Sequence, residues 1–305
     1  MASSNIDANK CGRKRQRGVS LLMALTLLLL VTSIIAGVAL NSNYAIRRSA
    51  MITHLTQAEA YAAGALNYAE RILQTDSYVG NSDDASEDWA QRLPPYPVTG
   101  GTVVGGHINE LSSRFNLANL VVKDPFEIRV FKRLWQHLGG NAGQAERLIA
   151  TVGSGQYVSV IGAMVAANID ESTLNRVSHA FVYLPINAEK MNINLVSAPV
   201  FAAYFDLSVE RAEAMLSERQ KQPILSHNEL LAFAQRHGIA GTTTDPLKTN
   251  APLVINLRFD IKSRYFQAVA HAQIGDASAV AVATLDRGGQ QMIRLNQRLS
   301  RLADE

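Results

Sequence analysis

Residues 12–40 read GRKRQRGVSLLMALTLLLLVTSIIAGVAL, and whether this stretch is a discarded signal, a plain anchor or a working segment decides how the rest of the chain is built. From Val19 to Leu40 there are 22 residues without a charge, and the nearest charges on either side are Arg17 and Arg47. As a helix rising about 1.5 Å per residue, such a run crosses a hydrocarbon core of about 30 Å. Lys10, Arg13, Lys14, Arg15 and Arg17 precede it, against the single acid Asp7. By the positive-inside rule that end stays in the cytoplasm and everything after Leu40 is exported. A cleaved secretory signal is the alternative, since Gly37-Val38-Ala39 offers a small-x-small site, but the run exceeds the roughly 7–15 apolar residues of such signals. An ordinary bitopic anchor passes the same hydropathy test.

The chain has 305 residues, 47% of them apolar, enough for one large or two modest packed domains. Its net charge of +3 comes from the leader: 29 basic and 26 acidic groups, less the leader's five and one, leave 24 and 25. A basic nucleic-acid surface is therefore not indicated. The sole cysteine, Cys11, sits in the same leader, so a product lacking it has neither a disulfide nor a thiolate.

The helical pattern continues past the apolar run. No proline occurs before Pro94, and Met51, Leu55, Ala58, Ala62, Ala65, Ala69 and Ile72 repeat at spacings of four and three. A helix from Val19 to about Leu73 would be roughly 80 Å long. Its narrow alanine stripe suits packing on the chain's own globular part or close approach of other helices.

The residues RGVSLLMALTLLLLV resemble a type IV prepilin leader, which prepilin peptidase cuts on the cytoplasmic side after the glycine. The resemblance implies cleavage between Gly18 and Val19 and N-methylation of Val19, with the apolar segment kept in the mature protein. Such proteins usually carry glutamate at the fifth mature position, where this chain has Met23. A carboxylate at that depth is costly unless paired, and in pilins it meets the N-terminal amine of the subunit already assembled. A subunit lacking it accepts others below but docks poorly beneath a neighbour, which implies a place at the tip.

Beyond the helix, DSYVGNSDDASEDWAQRLPPYPVTGG reads as loop. Its Asp83, Asp84, Glu87 and Asp88 offer hard oxygen ligands to calcium in no EF-hand spacing; a solvated acidic loop is the plainer reading. TVVGGHINELSSRFNLANLV reads as a hairpin about the Gly-Gly pair, with His107, Asn109 and Leu111 on one face and Ile108 and Glu110 on the other. From Pro125 to about Leu247 the period is helical, opening on an Asp cap and proline in DPFEIRVFKRLWQHLG. LVINLRFDI, SRYFQAVAHAQIG, ASAVAVATLDR and QQMIRLNQRL then read as four antiparallel strands. Strands before and after the helices imply that the helices are inserted into a β-domain.

The stretch MNINLVSAPVFAAYFDLSVERAEAMLSERQKQPILSHNELLAFA has the cadence of a helix-hairpin-helix. Its turn, Phe205-Asp206-Leu207-Ser208, holds a carboxylate and no glycine where a phosphate would sit, so nucleic acid is not expected as a partner. No two of the seven histidines pair at i, i+4 on a predicted helix, and no GxSxG, Walker or GxGxxG motif occurs. An enzyme is not indicated, and a hydrolase is the remotest reading.

SSRFNLANL, LPINAEKMNINLVSAP and SRYFQAVAHAQIG, in that order after the leader, resemble general secretion pathway protein K, the K-type minor pseudopilin family of type II secretion. The usual Phe-Asn-Leu-Asn-Asn-Leu junction is kept except for Ala118. The resemblance implies an α+β fold: a long N-terminal transmembrane helix and a pilin-like antiparallel sheet domain with a large all-helical insertion. The expected division is a leader over 1–18, an N-terminal helix over 19–75 with 19–40 in the membrane, the first part of the pilin-like domain over 76–122, an inserted helix-hairpin-helix or SAM-like domain over 123–248, and the closing sheet over 249–305. Expected partners are I-, J- and H-type minor pseudopilins, the major pseudopilin, prepilin peptidase, the inner membrane and, as a further class, exported proteins. Assembly falls to Met23, Leu55, Ala58, Ala62, Ala65 and Ala69. No cofactor is required, and calcium, which some family members bind, is the one candidate. A type IV minor pilin and a bitopic periplasmic binding protein are the alternatives.

Overall fold

The computed structural model describes residues 13–186, 190–239, 254–289 and 292–303. Helix α1 (Arg13–Val79) forms because nothing in it breaks the period. It contributes to two units, Met1–Gln57 and Ala58–Glu305. In the first, the large apolar side chains between Val19 and Leu40 are all exposed. The hydroxyls there turn back onto their own helix: Thr26 donates to the Met23 carbonyl, and Thr32 to those of Leu28 and Leu29.

Among the described residues, the second unit holds two large hydrophobic cores and a small third cluster of Leu111, Val182, Leu184 and Tyr265. Strands β1 (Tyr96–Val98) and β2 (Gly101–Glu110) pair about the turn at Thr99-Gly100, where Gly100 has φ +80°. The Gly105-Gly106 pair lies inside β2, so the hairpin expected about it is not formed. Gly105, at φ +134°, follows a register shift, and a Cβ on Gly106 would meet the Val269 carbonyl at 2.8 Å. The glycines serve a β-bulge. Next come β3 (Phe115–Asn116) and the helices α2 (Pro125–His137), α3 (Ala142–Val152), α4 (Val160–Ala166) and α5 (Glu171–Val177). Strands β4 (Phe181–Val182) and β5 (Met191–Asn192) precede α6 (Ala198–Phe205), α7 (Val209–Lys221) and α8 (His227–Arg236).

Residues 253–261, expected as a strand, are instead the helix α9 (Val254–Arg258) followed by the two-residue strand β6 (Phe259–Asp260), which pairs in parallel with β5. Strict alternation would have put Leu257 on the same face as Ile255 and Phe259. Those two are fully buried, whereas Leu257 is exposed. Strands β7 (Tyr265–Ile274), β8 (Ala277–Asp286) and β9 (Ile293–Ala303) complete an antiparallel sheet in the order β1-β2-β7-β8-β9. The boundary expected at 248/249 falls on residues 240–253, outside the described residues.

One core lies between the C-terminal part of α1 and this sheet. Ala58, Ala62, Leu66, Ala69 and Leu73 face Ala268, Ala270, Ala272, Ala279, Ala281 and Ala283, with Trp89 edge-on to Phe266 at 5.2 Å. The other core is helical. Phe115, Phe131, Trp135 and Phe181 cluster within about 6 Å of one another, and Phe201, Phe205 and Phe259 form a second group. Its helices start on side-chain caps, among them Asp124 to the Phe126 amide, Ser226 to the Glu229 amide, and a reciprocal capping box between Asn141 and Gln144.

Two substitutions two positions apart on α1 separate its faces. Ala62 is fully buried, so Ala62→Asp places an unpaired carboxylate against the sheet and should cost at least about 2 kcal/mol. A Cβ on Gly64 meets nothing within 4 Å, so Gly64→Glu should unfold no earlier than the parent chain. Chemical denaturation of both variants checks the contrast; equal stability would contradict the packing described.

Candidate assembly surface and acidic cluster

The processing residues lie on α1. Gly18 is open around its Cα, and Val19 and Met23 are exposed. Among the described residues, this one helix is long and apolar enough to cross a membrane.

The expected assembly stripe is divided by the structure. Leu55 belongs to the N-terminal unit. Ala58, Ala62 and Ala69 are buried against the chain's own sheet and present no free face to another subunit, whereas Ala65 is partly buried beside them and lines the cleft next to Gly64. The first three are covered by the sheet's own alanines, which share one buried core with this face of α1. The free flank of α1 carries Ala60, Gly64 and Tyr68, which border an apolar cleft of about 600 Å³ closed by Tyr96, Val98 and Gly105. The sequence signal for it was the small pair Ala60 and Gly64 at i, i+4, masked by the longer alanine stripe. Beside the sheet's outer strand, Arg294 pairs with Glu70 and Arg301 with Glu59. Such partly exposed pairs add little stability.

The acidic residues gather differently from the set read in sequence. Asp76, from the end of α1, joins Asp83 and Glu87, with one ligand oxygen of each within 4.8 Å of the others. Asp84 and Asp88 stay outside: Asp84 accepts the Ser86 amide and hydroxyl at 2.7 and 2.6 Å, and Asp88 is exposed. Asp83, read as part of a solvated loop, is 2% exposed. Its burial is compensated by Arg287, whose guanidinium also pairs with Asp76 at 2.8 Å. Calcium takes about six to eight oxygens. Here two of the three carboxylates are bonded to a cation already present, so the cluster as built does not fit a divalent ion.

Glu87 accepts from the Trp89 indole N–H and, at 3.3 Å, from the Asp84 amide. Burial, followed by the charges of Asp76 and Asp83, pushes its carboxyl up to about 7 against those bonds. Burial and Asp83 push Asp76 in the same direction.

The asparagines of the Asn-rich motifs are structural staples. Asn116 donates to the carbonyls of Leu184 and Pro185 and accepts from the amides of Ala118 and Leu184. Asn192, wholly buried, donates to the Asp83 carbonyl and to the Ser263 hydroxyl, both at 2.9 Å. Asn194 bonds both the carbonyl and the amide of Ile224. Ser112 accepts from the amides of Arg264 and Tyr265. In the helix-hairpin-helix turn, Asp206 adopts φ +56° and pairs with Arg133 at 3.0 Å.

Because the folded chain holds the Glu87 proton more tightly than the unfolded chain, with its ordinary value of 4.5, this group's contribution is full below about 4.5 and is lost as pH rises through about 7. Glu87→Gln should flatten the fall in stability between pH 5 and 8 and leave the variant at least as stable as the parent at pH 8. Denaturation midpoints across that range test it; an unchanged slope would remove Glu87 as the source.

The family described as "Type II secretion system (T2SS), protein K" matches residues 191–251. The type II secretion system protein K of Pseudomonas aeruginosa is 29% identical over 323 residues, covering 94% of this chain and 93% of that protein. Its namesakes in Pectobacterium carotovorum subsp. carotovorum and Aeromonas hydrophila are 25% and 24% identical, over 92% and 94% of this chain and 95% and 98% of theirs. Among solved structures, a chain in the crystal structure of the GspK-GspI-GspJ complex from the enterotoxigenic Escherichia coli type 2 secretion system superposes with a TM-score of 0.66. At 16% identity it covers 83% of this chain and 99% of that one, a likeness of fold. Over nearly its whole length the chain is thus similar to the type II secretion system protein K of several bacteria, and it shares the fold of the E. coli chain.

Proposed function

We propose that the protein is a minor pseudopilin held by α1 in the inner membrane, N-terminus cytoplasmic and bulk periplasmic, until it is cut between Gly18 and Val19. It is then N-methylated on Val19 and assembled at the tip of a periplasmic pseudopilus that supports export of folded proteins. One observation carries this reading: the apolar side chains from Val19 to Leu40 are all exposed on a helix that continues into the sheet core, and Met23 stands where a pairing carboxylate would. A helix of this kind stays in lipid while alone, because lipid tails satisfy its surface, and other apolar helices can replace the lipid.

The E. coli chain of the same fold is solved with GspI and GspJ, and we extend I- and J-type partners, together with the H-type and the major pseudopilin, to this protein. The cleft beside Gly64, which Ala65 also lines, offers such subunits a face that the buried Ala58, Ala62 and Ala69 do not. Helices α2 to α8, too bulky for the repeat of a regular shaft, suit a terminal subunit and leave an outer surface for exported proteins. The fold performs no chemistry in this account; its work is mechanical.

Mass spectrometry of the mature N-terminus, from membranes with and without prepilin peptidase, should find methylated Val19 only where the peptidase is present. A start at Met1, Ala2 or Leu40 in both would overturn the assignment. Met23→Glu supplies the missing carboxylate and should raise the protein's copy number per pseudopilus above that of the parent chain; an unchanged count would remove the argument for the tip.

A further inference from the structure

We propose that Arg287 is a built-in counter-cation, bridging Asp76 and Asp83 beside Glu87 where a divalent ion would otherwise bind, so that the cluster holds without calcium. Three carboxylates with oxygens within 4.8 Å of one another repel unless one takes up a proton or positive charge is placed beside them. A metal ion or a guanidinium fork can supply it.

The fork is in place here and is not free to leave. Arg287 Nη1 donates to Asp76 Oδ2 at 2.8 Å, while Nη2 donates to Asp83 Oδ2 and, at 2.7 Å, to the Ser263 carbonyl. The guanidinium lies over the Phe266 ring at 4.7 Å, and the Arg287 backbone amide donates to the Arg264 carbonyl at 2.9 Å. Its side chain is only 7% exposed. The carboxylates are equally committed, since Asp83 also accepts the Ser263 amide and Glu87 accepts from Trp89 and Asp84. A calcium ion entering this space would meet a fixed positive charge and find its oxygens already engaged. The arginine thus joins three segments, the end of α1, the loop after it and the turn between β8 and β9, through one side chain. This inference is independent of the assembly partners.

The test uses the full chain in detergent micelles, with terbium as the calcium probe and Trp89, bonded to Glu87, as its sensitiser. The parent protein should give no saturable, calcium-competed terbium emission assignable to the cluster, and the same melting temperature in calcium as in chelator. Arg287→Met leaves Asp76 and Asp83 without their cation beside Glu87 and should gain such emission, with calcium competing at about 10⁻⁴–10⁻³ M and raising the melting temperature. Cluster binding in the parent chain, recognised by its loss in Asp76→Asn, would overturn the proposal. So would an Arg287→Met protein that folds and still ignores calcium. Recovery of Arg287→Met only with calcium present would be the expected gain in its strongest form, and if that variant folds in neither condition the parent titration decides.

Discussion

The structure of the folded unit depends on alanine meeting alanine between α1 and the sheet. Ala58, Ala62 and Ala69 on one side and Ala268, Ala270, Ala279 and Ala281 on the other share one buried core. Alanine loses no side-chain entropy on burial, so this contact forms at little conformational cost, though each methyl removes little area from water. Larger residues close the margins: Leu66 and Leu73 on the helix, and Trp89 against Phe266 beside them. Because the close face is used up in this way, any surface α1 offers to another subunit must lie on a different flank. Tyr68 and Gly64 are there.

The same sheet explains how a helical unit can be inserted without disturbing it. Strand β2 ends at Glu110, which pairs with Phe266 near the start of β7, so the chain leaves and returns between neighbouring strands. An excursion whose ends are already adjacent adds only the slow logarithmic cost of a longer loop. What must be secured is the crossing point, and polar side chains secure it. Ser112 caps the amides that open β7, and Asn192 and Ser263 bond each other and the segment holding Asp83. Phe115 on the way out and Phe259 on the way back belong to the helical core, so both crossings are also held by burial.

Period and caps made much of this legible. Asp124-Pro125 marks the first inserted helix in sequence as it does in space, and the alternation from Phe266 to Ala272 gives the buried face of β7 directly. The misreadings have a common source, which is that local pattern does not report what packs against it. Gly105-Gly106 looks like a turn because glycine permits turns, but here a bulge with a neighbouring backbone 2.8 Å from a notional Cβ needs it. Val254–Arg258 looks like a strand because its residues favour one, yet it packs on aromatic rings that sequence spacing cannot place. The acidic cluster was half visible. Asp83 and Glu87 are close in sequence, whereas Asp76 and Arg287 reach them only through the fold. Of the alanine stripe, the sequence shows the period but not its occupant, since a narrow small-residue face suits a sheet as well as a helix.

The composition of α1 changes along its length, and its apolar part is of the kind that suits a membrane anchor. Between Val19 and Leu40 the large side chains are leucine, isoleucine, valine and methionine on every side, exposed all round, as suits a surface whose surroundings are hydrocarbon. From Ala58 onward apolar residues narrow to a stripe, and Glu59, Asn67, Glu70 and Arg71 return on the remaining faces. In lipid, no hydrophobic force favours one helical neighbour over another, so the first segment can exchange lipid for protein at small net cost. In water, burying the second against its own sheet fixes it for as long as the domain is folded. The alanine stripe is thus committed to the chain's own sheet, and the apolar segment is the part of α1 left to its surroundings.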